Sequence, residues 1–196
     1  MSNISIEDIK KLKELSGVGL TDAKNALVEA KGDFDKALEA MRKKGLTKAE
    51  KRGDRETREG LVDAYVHDGR IAAIVELNCE TSFVAKTDEF KTLAHQLAMQ
   101  VASMNPLYVS EADIPEDVKS AKMKELEANF KGPENMKEKI LEGQAKKAFA
   151  DKVLMNQPYI LDDSKTVEAF IKEAIAKTGE NITVRQFKRI ELGVTE

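Results

Sequence analysis

One turn fixes what the middle of this chain can fold into. Asp68-Gly69 lies between two apolar, β-rich segments, LVDAYVH and RIAAIVELN, and Asp-Gly in that setting is the strongest short-range signal for a β-hairpin. We therefore place strands near 61–67 and 70–78. A third strand is expected over 182–191, where apolar residues recur at Ile182, Val184, Phe187 and Ile190.

Helical spacing of apolar residues surrounds these strands. It predicts helices over 88–104 and 134–150, another opening at Pro115, and one over 165–177 with Ser164 as its N-cap. The predicted class is α+β: a small antiparallel sheet of about three strands covered by helices.

The first 44 residues predict three short amphipathic helices. Ser5 and Asp33 are candidate N-caps of the first and third helices. Glycines are expected to end or separate the helices, at Gly17, Gly19, Gly32 and Gly45. The predicted organisation is a three-helix domain over 1–45, a basic linker over 46–59 and a core domain over 60–196.

The segment 42–58 carries eight basic and three acidic residues, a local net charge of +5, and few apolar residues. A solvated linker or helix tail is the ordinary interpretation of such a run. The alternative is contact with RNA or phosphate. No aromatic residue is interleaved for base stacking, and the whole chain has a net charge of −3, so direct nucleic-acid binding is not expected.

The sequence offers no constellation for catalysis. It lacks the glycine-rich nucleotide-binding motifs and the GxSxG nucleophile motif. One cysteine, Cys79, and two histidines, His67 and His95, leave little for a metal centre. We predict no catalytic residues, no metal and no cofactor. No apolar run of membrane-spanning length and no targeting peptide is apparent, so no membrane association and a cytoplasmic location are expected.

Two stretches carry more information than these patterns. Residues 12–27, LKELSGVGLTDAKNAL, resemble the N-terminal signature of the translation elongation factor Ts family, and residues 78–86, NCETSFVAK, resemble its second signature. The segments 157–159, 163–167 and 187–193 are also similar to that family, in the same order. The resemblance therefore covers essentially the whole chain.

The resemblance implies a guanine nucleotide exchange factor for elongation factor Tu, met in its GDP-bound or nucleotide-free form. It also implies that the N-terminal helices form a ubiquitin-associated-type domain. In this family, a segment equivalent to Thr81, Ser82, Phe83 and Val84 pushes on the GTPase near its magnesium site. The family usually has Asp where this chain has Ser82.

The resemblance further implies a partner contact in the N-terminal domain, through Leu20, Thr21, Asp22 and Lys24. Thr21 replaces an apolar residue of the family pattern. The ordinary interpretations are that Lys24 is a solvated helix lysine and that Phe83 is a core residue. The polar neighbours of Phe83 instead favour an exposed loop.

Two other functions remain open at this point: an adaptor that binds a helix or peptide through the N-terminal domain without exchange activity, and an RNA-binding protein. A homodimer is also expected, because a three-stranded sheet leaves two edges and one face to cover. The alternative is a monomer whose sheet is covered by its own helices within 134–177. We expect its interface near Ile182, Val184, Phe187 and Ile190.

Overall fold

The computed structural model describes residues 4–16, 19–130, 133 and 136–194, and it confirms the α+β class. The predicted loop residue Gly17 lies outside these ranges. The helices are α1 (Ile6–Ser16), α2 (Leu20–Glu29), α3 (Phe34–Glu50), α4 (Ser82–Ala85), α5 (Asp88–Met104), α6 (Glu116–Ala128), α7 (Lys137–Ala150) and α8 (Val167–Thr178). The strands are β1 (Glu59–His67), β2 (Ile71–Cys79), β3 (Pro158–Tyr159), β4 (Asp162–Thr166) and β5 (Ile182–Glu191).

The chain divides into two compact units. The first comprises Met1–Asp63, Glu76–Ala94 and Ala169–Val184. The second comprises Ala64–Val75, His95–Glu168 and Arg185–Glu196. The units interleave along the chain, so strands and helices that are continuous in sequence contribute to both. The predicted division at residues 45 and 59 stays a prediction.

The predicted N-caps are present at the starts of α1 and α3, and a predicted glycine lies at the end of α2. The Ser5 hydroxyl accepts from the Asp8 N–H at 2.9 Å and donates to the Asp8 carboxylate at 2.7 Å, which closes the start of α1. The Asp33 carboxylate accepts from the Lys36 N–H at 3.1 Å at the start of α3. Gly32, at φ 85°, ends α2 by donating its N–H to the Leu27 carbonyl at 2.8 Å. The bundle core is built from Leu12, Ala23, Ala26, Leu27, Ala37 and Met41.

The prediction that Gly45 stops the third helix is wrong, because α3 continues to Glu50. Gly45 is buried, and a Cβ built on it would lie 3.1 Å from the Cβ of Ala176 in α8. The absence of a side chain therefore allows α3 and α8 to approach closely. This contact outweighs the low intrinsic helix propensity of glycine, which costs about 1 kcal/mol relative to alanine.

The Asp-Gly hairpin is confirmed. Asp68 and Gly69 both have positive φ, 49° and 65°, as a two-residue type I′ turn requires. The strands form an antiparallel sheet in the order β1-β2-β5. Along the central strand β2, Ala73, Val75, Leu77 and Cys79 are buried.

The helix α5 lies on one face of this sheet. The ring of Tyr65 in β1 contacts His95 of α5 edge-to-face, with ring centroids 5.8 Å apart. The Arg189 guanidinium in β5 donates to the Ala102 carbonyl of α5 at 3.0 Å. Since side chains alternate between the faces of a strand, Val66 and Ile190 lie on the opposite face.

A second, two-stranded sheet was not predicted. β3 and β4 pair in an antiparallel arrangement, and Ser164 lies within β4 rather than capping a helix. Its hydroxyl donates to the Asp162 carboxylate at 2.5 Å. α8 begins later, at Val167, whose N–H donates to the carbonyl of buried Gln157 at 3.0 Å.

Candidate functional site

The segment predicted to contact a partner follows the last residue of β2. Thr81 is the N-cap of the short helix α4, and its hydroxyl accepts from the Val84 N–H at 3.4 Å. The predicted loop is therefore one helical turn with a side-chain cap. This turn sets the direction in which each of its four side chains points.

Phe83 is 80% exposed, whereas its neighbours Val84 and Ala85 are 6% and 8% exposed. The two small apolar residues anchor the turn, and the aromatic ring projects into solvent. Phe83 is therefore not a core residue. Thr81 and Ser82 are also exposed, and Val84 is the one predicted contact residue of this segment that is buried.

The start of the segment, at Glu80 and Thr81, is held by hydrogen bonds to Glu180 and Asn181, which connect α8 to β5. The Glu180 carboxylate accepts from the Thr81 N–H at 3.0 Å and from the Thr81 hydroxyl at 2.6 Å. In the reverse direction, the Glu80 carboxylate accepts from the Asn181 N–H at 2.6 Å. We call Glu80, Thr81, Glu180 and Asn181 the clasp.

Cys79 directly precedes the clasp residue Glu80 in the chain and is buried. Its thiol donates to the Thr81 carbonyl at 3.2 Å. Burial, followed by the negative charge of Glu180, raises the pKa of the Cys79 thiol. Because the thiolate is the nucleophilic form, this shift disfavours reaction at Cys79, which packs as a small buried side chain.

The second predicted contact lies on α2. Leu20 is 54% exposed, and Thr21 and Lys24 are exposed too, because Ala23, Ala26 and Leu27 occupy the buried side of the helix. Asp22 differs from them. Its carboxylate accepts from the Lys44 ammonium of α3 at 2.9 Å, so it joins two helices of the bundle.

Val28 extends this surface and was not predicted. It is 55% exposed and follows Leu20 and Lys24 at a spacing of four residues, which places all three along one side of α2. The spacing was visible in the sequence. The sequence gives no reason to place Val28 on the surface rather than in the core of the bundle.

The predicted contact residues of α2 and α4 belong to the same compact unit. The residues between α3 and β1 are held within that unit by Asn181, which is 2% exposed. Its side-chain amide donates to the carbonyls of Gly53, at 3.2 Å, and Arg55, at 2.8 Å. The Thr57 and Thr183 hydroxyls add a hydrogen bond at 2.8 Å.

Many cations of the basic segment are engaged within the chain. Lys43, Lys44, Arg55 and Arg58 form ion pairs with Glu39, Asp22, Glu80 and Glu56. The Arg52 guanidinium donates to the Ile175 carbonyl at 3.4 Å. The contacts of Lys44, Arg52 and Arg55 join the segment to residues far away in the sequence, whereas the pairs of Lys43 and Arg58 are local and exposed.

Both histidines lie on the surface and contact the same tyrosine, Tyr65. The Tyr65 hydroxyl is 3.0 Å from Nδ1 of His67. Among the described residues, no three or more His, Cys, Asp or Glu side chains are grouped to hold a metal ion. Over the same residues, no helix is both long and apolar enough to cross a bilayer.

Glu180 and Asn181 were also missed by sequence reasoning. They directly follow Gly179, which has a φ of 81° and ends α8. In the sequence, a glutamate and an asparagine after a helix end look like ordinary turn residues. Their partners lie about a hundred positions earlier in the sequence. No local pattern could have paired them.

Comparison with known proteins identifies the class to which this fold and site belong. The family model described as Elongation factor TS matches residues 5–194. Elongation factor Ts of Thermotoga sp. (strain RQ2) is 53% identical over 192 residues, which cover 97% of this chain and 96% of that protein. Elongation factor Ts of Moorella thermoacetica is 48% identical over 194 residues, which cover 97% of this chain and 96% of that protein. Elongation factor Ts of Fervidobacterium nodosum is 46% identical over 195 residues, which cover 97% of this chain and 98% of that protein.

The chain belongs to the elongation factor Ts family. Proteins of this family serve protein biosynthesis as nucleotide exchange factors that act by binding another protein rather than by catalysis. The predicted family is thus confirmed. The absence of a catalytic constellation in the sequence agrees with this mode of action.

Proposed function

We propose that this chain is a guanine nucleotide exchange factor for elongation factor Tu, acting in the cytoplasm during translation elongation. The observation that supports this most strongly is Phe83, a large apolar ring that is 80% exposed on a turn whose other apolar residues are buried. A protein that exposes such a ring on a capped, anchored helix gains most when a partner buries it.

In the proposed step, the chain binds the GDP-bound GTPase and places Thr81, Ser82 and Phe83 near its magnesium site. The bulk of the ring separates elements of the GTPase that otherwise coordinate Mg²⁺ and phosphate, which weakens GDP binding. GDP leaves, and GTP binds to the nucleotide-free complex. Val84 is buried, and it contributes by anchoring the turn rather than by touching the partner.

Reciprocity of binding free energies constrains this mechanism. If the chain weakens GDP binding by a given factor, GDP weakens binding of the chain by the same factor. The exchange factor therefore binds the nucleotide-free GTPase more tightly than the GDP-bound one. It also leaves when nucleotide returns, so one molecule can serve many GTPase molecules.

The side of α2 that carries Leu20, Lys24 and Val28 supplies affinity in this proposal. Two half-exposed apolar side chains flank one cation, a composition suited to an apolar patch with a nearby carboxylate. Asp22 supports this surface indirectly, because its ion pair with Lys44 holds α2 against α3.

We further propose that two copies of the chain pair through the face of the sheet opposite α5. In the second compact unit this face carries Val66, Ile74 and Ile190, which are 62%, 47% and 71% exposed. Two such sheets can stack face to face, and a two-fold axis buries the same patch on both copies. The interface differs from the predicted one, because Ile182 and Val184 are 3% and 6% exposed and belong to the interior.

The test of exchange uses elongation factor Tu loaded with a fluorescent GDP analogue and chased with excess GTP. The full chain is expected to accelerate loss of fluorescence, in proportion to its concentration until the GTPase is saturated. Binding without acceleration would instead support the adaptor function. Neither binding nor acceleration, together with retention of an RNA oligonucleotide, would support the RNA-binding function.

A further inference from the structure

The clasp joins the turn that carries Phe83 to a distant part of the first compact unit. Each of its two dipeptides supplies one carboxylate to the other, and the residue beside that carboxylate donates in return. Glu180 accepts twice from Thr81, at 3.0 and 2.6 Å, and Glu80 accepts once from Asn181, at 2.6 Å. The Arg55 guanidinium lies 3.5 Å from the Glu80 carboxylate and adds an ion pair.

α4 depends on this support because it is short. It contains four residues, whereas isolated helices much shorter than about 12 residues are unstable in water. Its start is defined by the Thr81 hydroxyl, which accepts from the Val84 N–H. The same hydroxyl donates to Glu180, so the carboxylate fixes the orientation of the capping group itself.

The Glu180 contacts are directed at one residue. Both of its oxygens accept from Thr81, one from the backbone N–H and one from the side chain. Hydrogen bonds to an ionised carboxylate are roughly twice as strong as neutral ones. Glu180 therefore restrains both the backbone and the rotamer of the N-cap, two residues before the exposed ring.

We propose that Glu180 is a positioning residue for nucleotide exchange, which fixes the capped start of α4 so that Phe83 is held outward before the partner arrives. This inference rests on the proposed exchange function. A ring already held in its bound direction loses less conformational entropy on binding. A free turn would let the apolar ring fold back against the chain, and part of the binding energy would be spent on freeing it.

The chain offers variants that separate positioning from general stabilisation. Glu180→Ala removes both acceptors. Glu180→Gln keeps one acceptor for the Thr81 N–H and can donate to the Thr81 hydroxyl, so it is the conservative rescue. Thr81→Val removes the hydroxyl alone, whereas Thr81→Ser keeps it. Glu127→Ala, which truncates an exposed glutamate of α6 in the second compact unit, is the matched control.

The experiment measures release of fluorescent GDP from elongation factor Tu by the full chain and its variants, with thermal unfolding of each variant. Glu180→Ala is expected to lower the apparent second-order rate of stimulated release about tenfold, the ratio that corresponds to 1.4 kcal/mol. Glu180→Gln is expected to recover most of that loss, and Thr81→Ser is expected to release GDP faster than Thr81→Val. Glu127→Ala is expected to match the unmodified chain.

A double-mutant cycle completes the test. If Glu180 acts through Thr81, the variant carrying both Glu180→Ala and Thr81→Val is expected to be little worse than Glu180→Ala alone. Additive losses would overturn the inference, and so would Glu180→Ala releasing GDP at the unmodified rate. If Glu180→Ala does not fold, the shortened carboxylate of Glu180→Asp replaces it, and release at the unmodified rate by that variant overturns the inference. Failure of the unmodified chain to stimulate release would instead overturn the proposed function.

Discussion

Ser82 shows how the site depends on single side chains. It is the first residue of α4 and is exposed beside Phe83, at the position where the family usually has Asp. A carboxylate at the start of a helix interacts favourably with the helix dipole, by about 0.3–1 kcal/mol at an exposed site. Because Thr81 already caps α4 and Glu180 already restrains it, this chain does not need that contribution for the turn to form.

We therefore expect Ser82→Asp to change stimulated GDP release by less than about tenfold, the ratio equivalent to 1.4 kcal/mol. The apolar ring, which is unchanged, supplies the main effect. Ser82→Asn is the matched control, since asparagine has nearly the same size as aspartate but carries no charge. A rise of more than tenfold with Asp but not with Asn would show that the electrostatic contribution outweighs the ring.

Sequence reasoning proposed the candidate site at the residue scale, but it did not find the contacts that hold the site in place. The exposure of Phe83 could be anticipated because polar residues surround it, and the resemblance supplied its role. The buried state of Val84 could not, since a valine beside an exposed phenylalanine fits either environment. The double contact of Glu180 with Thr81 depends on tertiary proximity that no local pattern encodes.

At the scale of elements, the largest difference from the sequence prediction is the end of α3. Gly45 was expected to stop the helix, but tertiary packing on α8 carries it five residues further. The following segment was expected to be a linker because it has few apolar residues. Polar groups hold it within the first compact unit, above all the buried amide of Asn181.

Asn181→Ala is expected to destabilise the chain by about 1–3 kcal/mol, because it leaves the Gly53 and Arg55 carbonyls without their donor. Asn129→Ala is the control. Its amide donates to the Glu125 carbonyl at an exposed helix end, so its removal is expected to cost less than about 0.5 kcal/mol. Urea unfolding measures both, and equal losses would contradict a role for Asn181 in holding the segment.

The exposed side of α2 makes a separate prediction. Leu20→Ala is expected to raise the concentration of the chain needed for half-maximal GDP release while leaving the maximal rate nearly unchanged, because the bundle supplies affinity. Leu161→Ala, a truncation of an equally exposed leucine in the second compact unit, serves as the control. A lower maximal rate with Leu20→Ala would mean that the bundle takes part in the exchange step itself.

At the scale of the whole molecule, the sequence predicted the α+β class, the hairpin, the long helix α5 and the closing strand. Those elements have strong local signals: Asp-Gly between β-rich runs and sustained helical spacing. It did not predict the β3–β4 pair, whose strands have two and five residues. The interleaved compact units likewise arise from long-range pairing, which composition along the chain does not reveal.

Pairing of two copies is the prediction that belongs to this scale. Light scattering is expected to give twice the 21.8 kDa mass of one chain at micromolar concentration. Ile190→Lys is expected to shift the mass toward one chain, because it places a charge in an apolar interface. Leu161→Lys is expected to leave the mass unchanged. A single-chain mass at all concentrations, without any substitution, would contradict the dimer.

Whether the exposed ring of Phe83 drives nucleotide release is decided by removing that ring alone. Phe83→Ala and the control Leu161→Ala are compared with the unmodified chain in the release of fluorescent GDP from elongation factor Tu, at saturating concentrations. Removing a buried interface aromatic costs on the order of 2–4 kcal/mol. In the proposed mechanism that interaction energy is used to displace the magnesium site rather than to hold the complex together, so Phe83→Ala is expected to slow release at least about tenfold even at saturation, with unchanged thermal stability. Release within about twofold of the unmodified rate, well below the tenfold that 1.4 kcal/mol represents, would contradict the account.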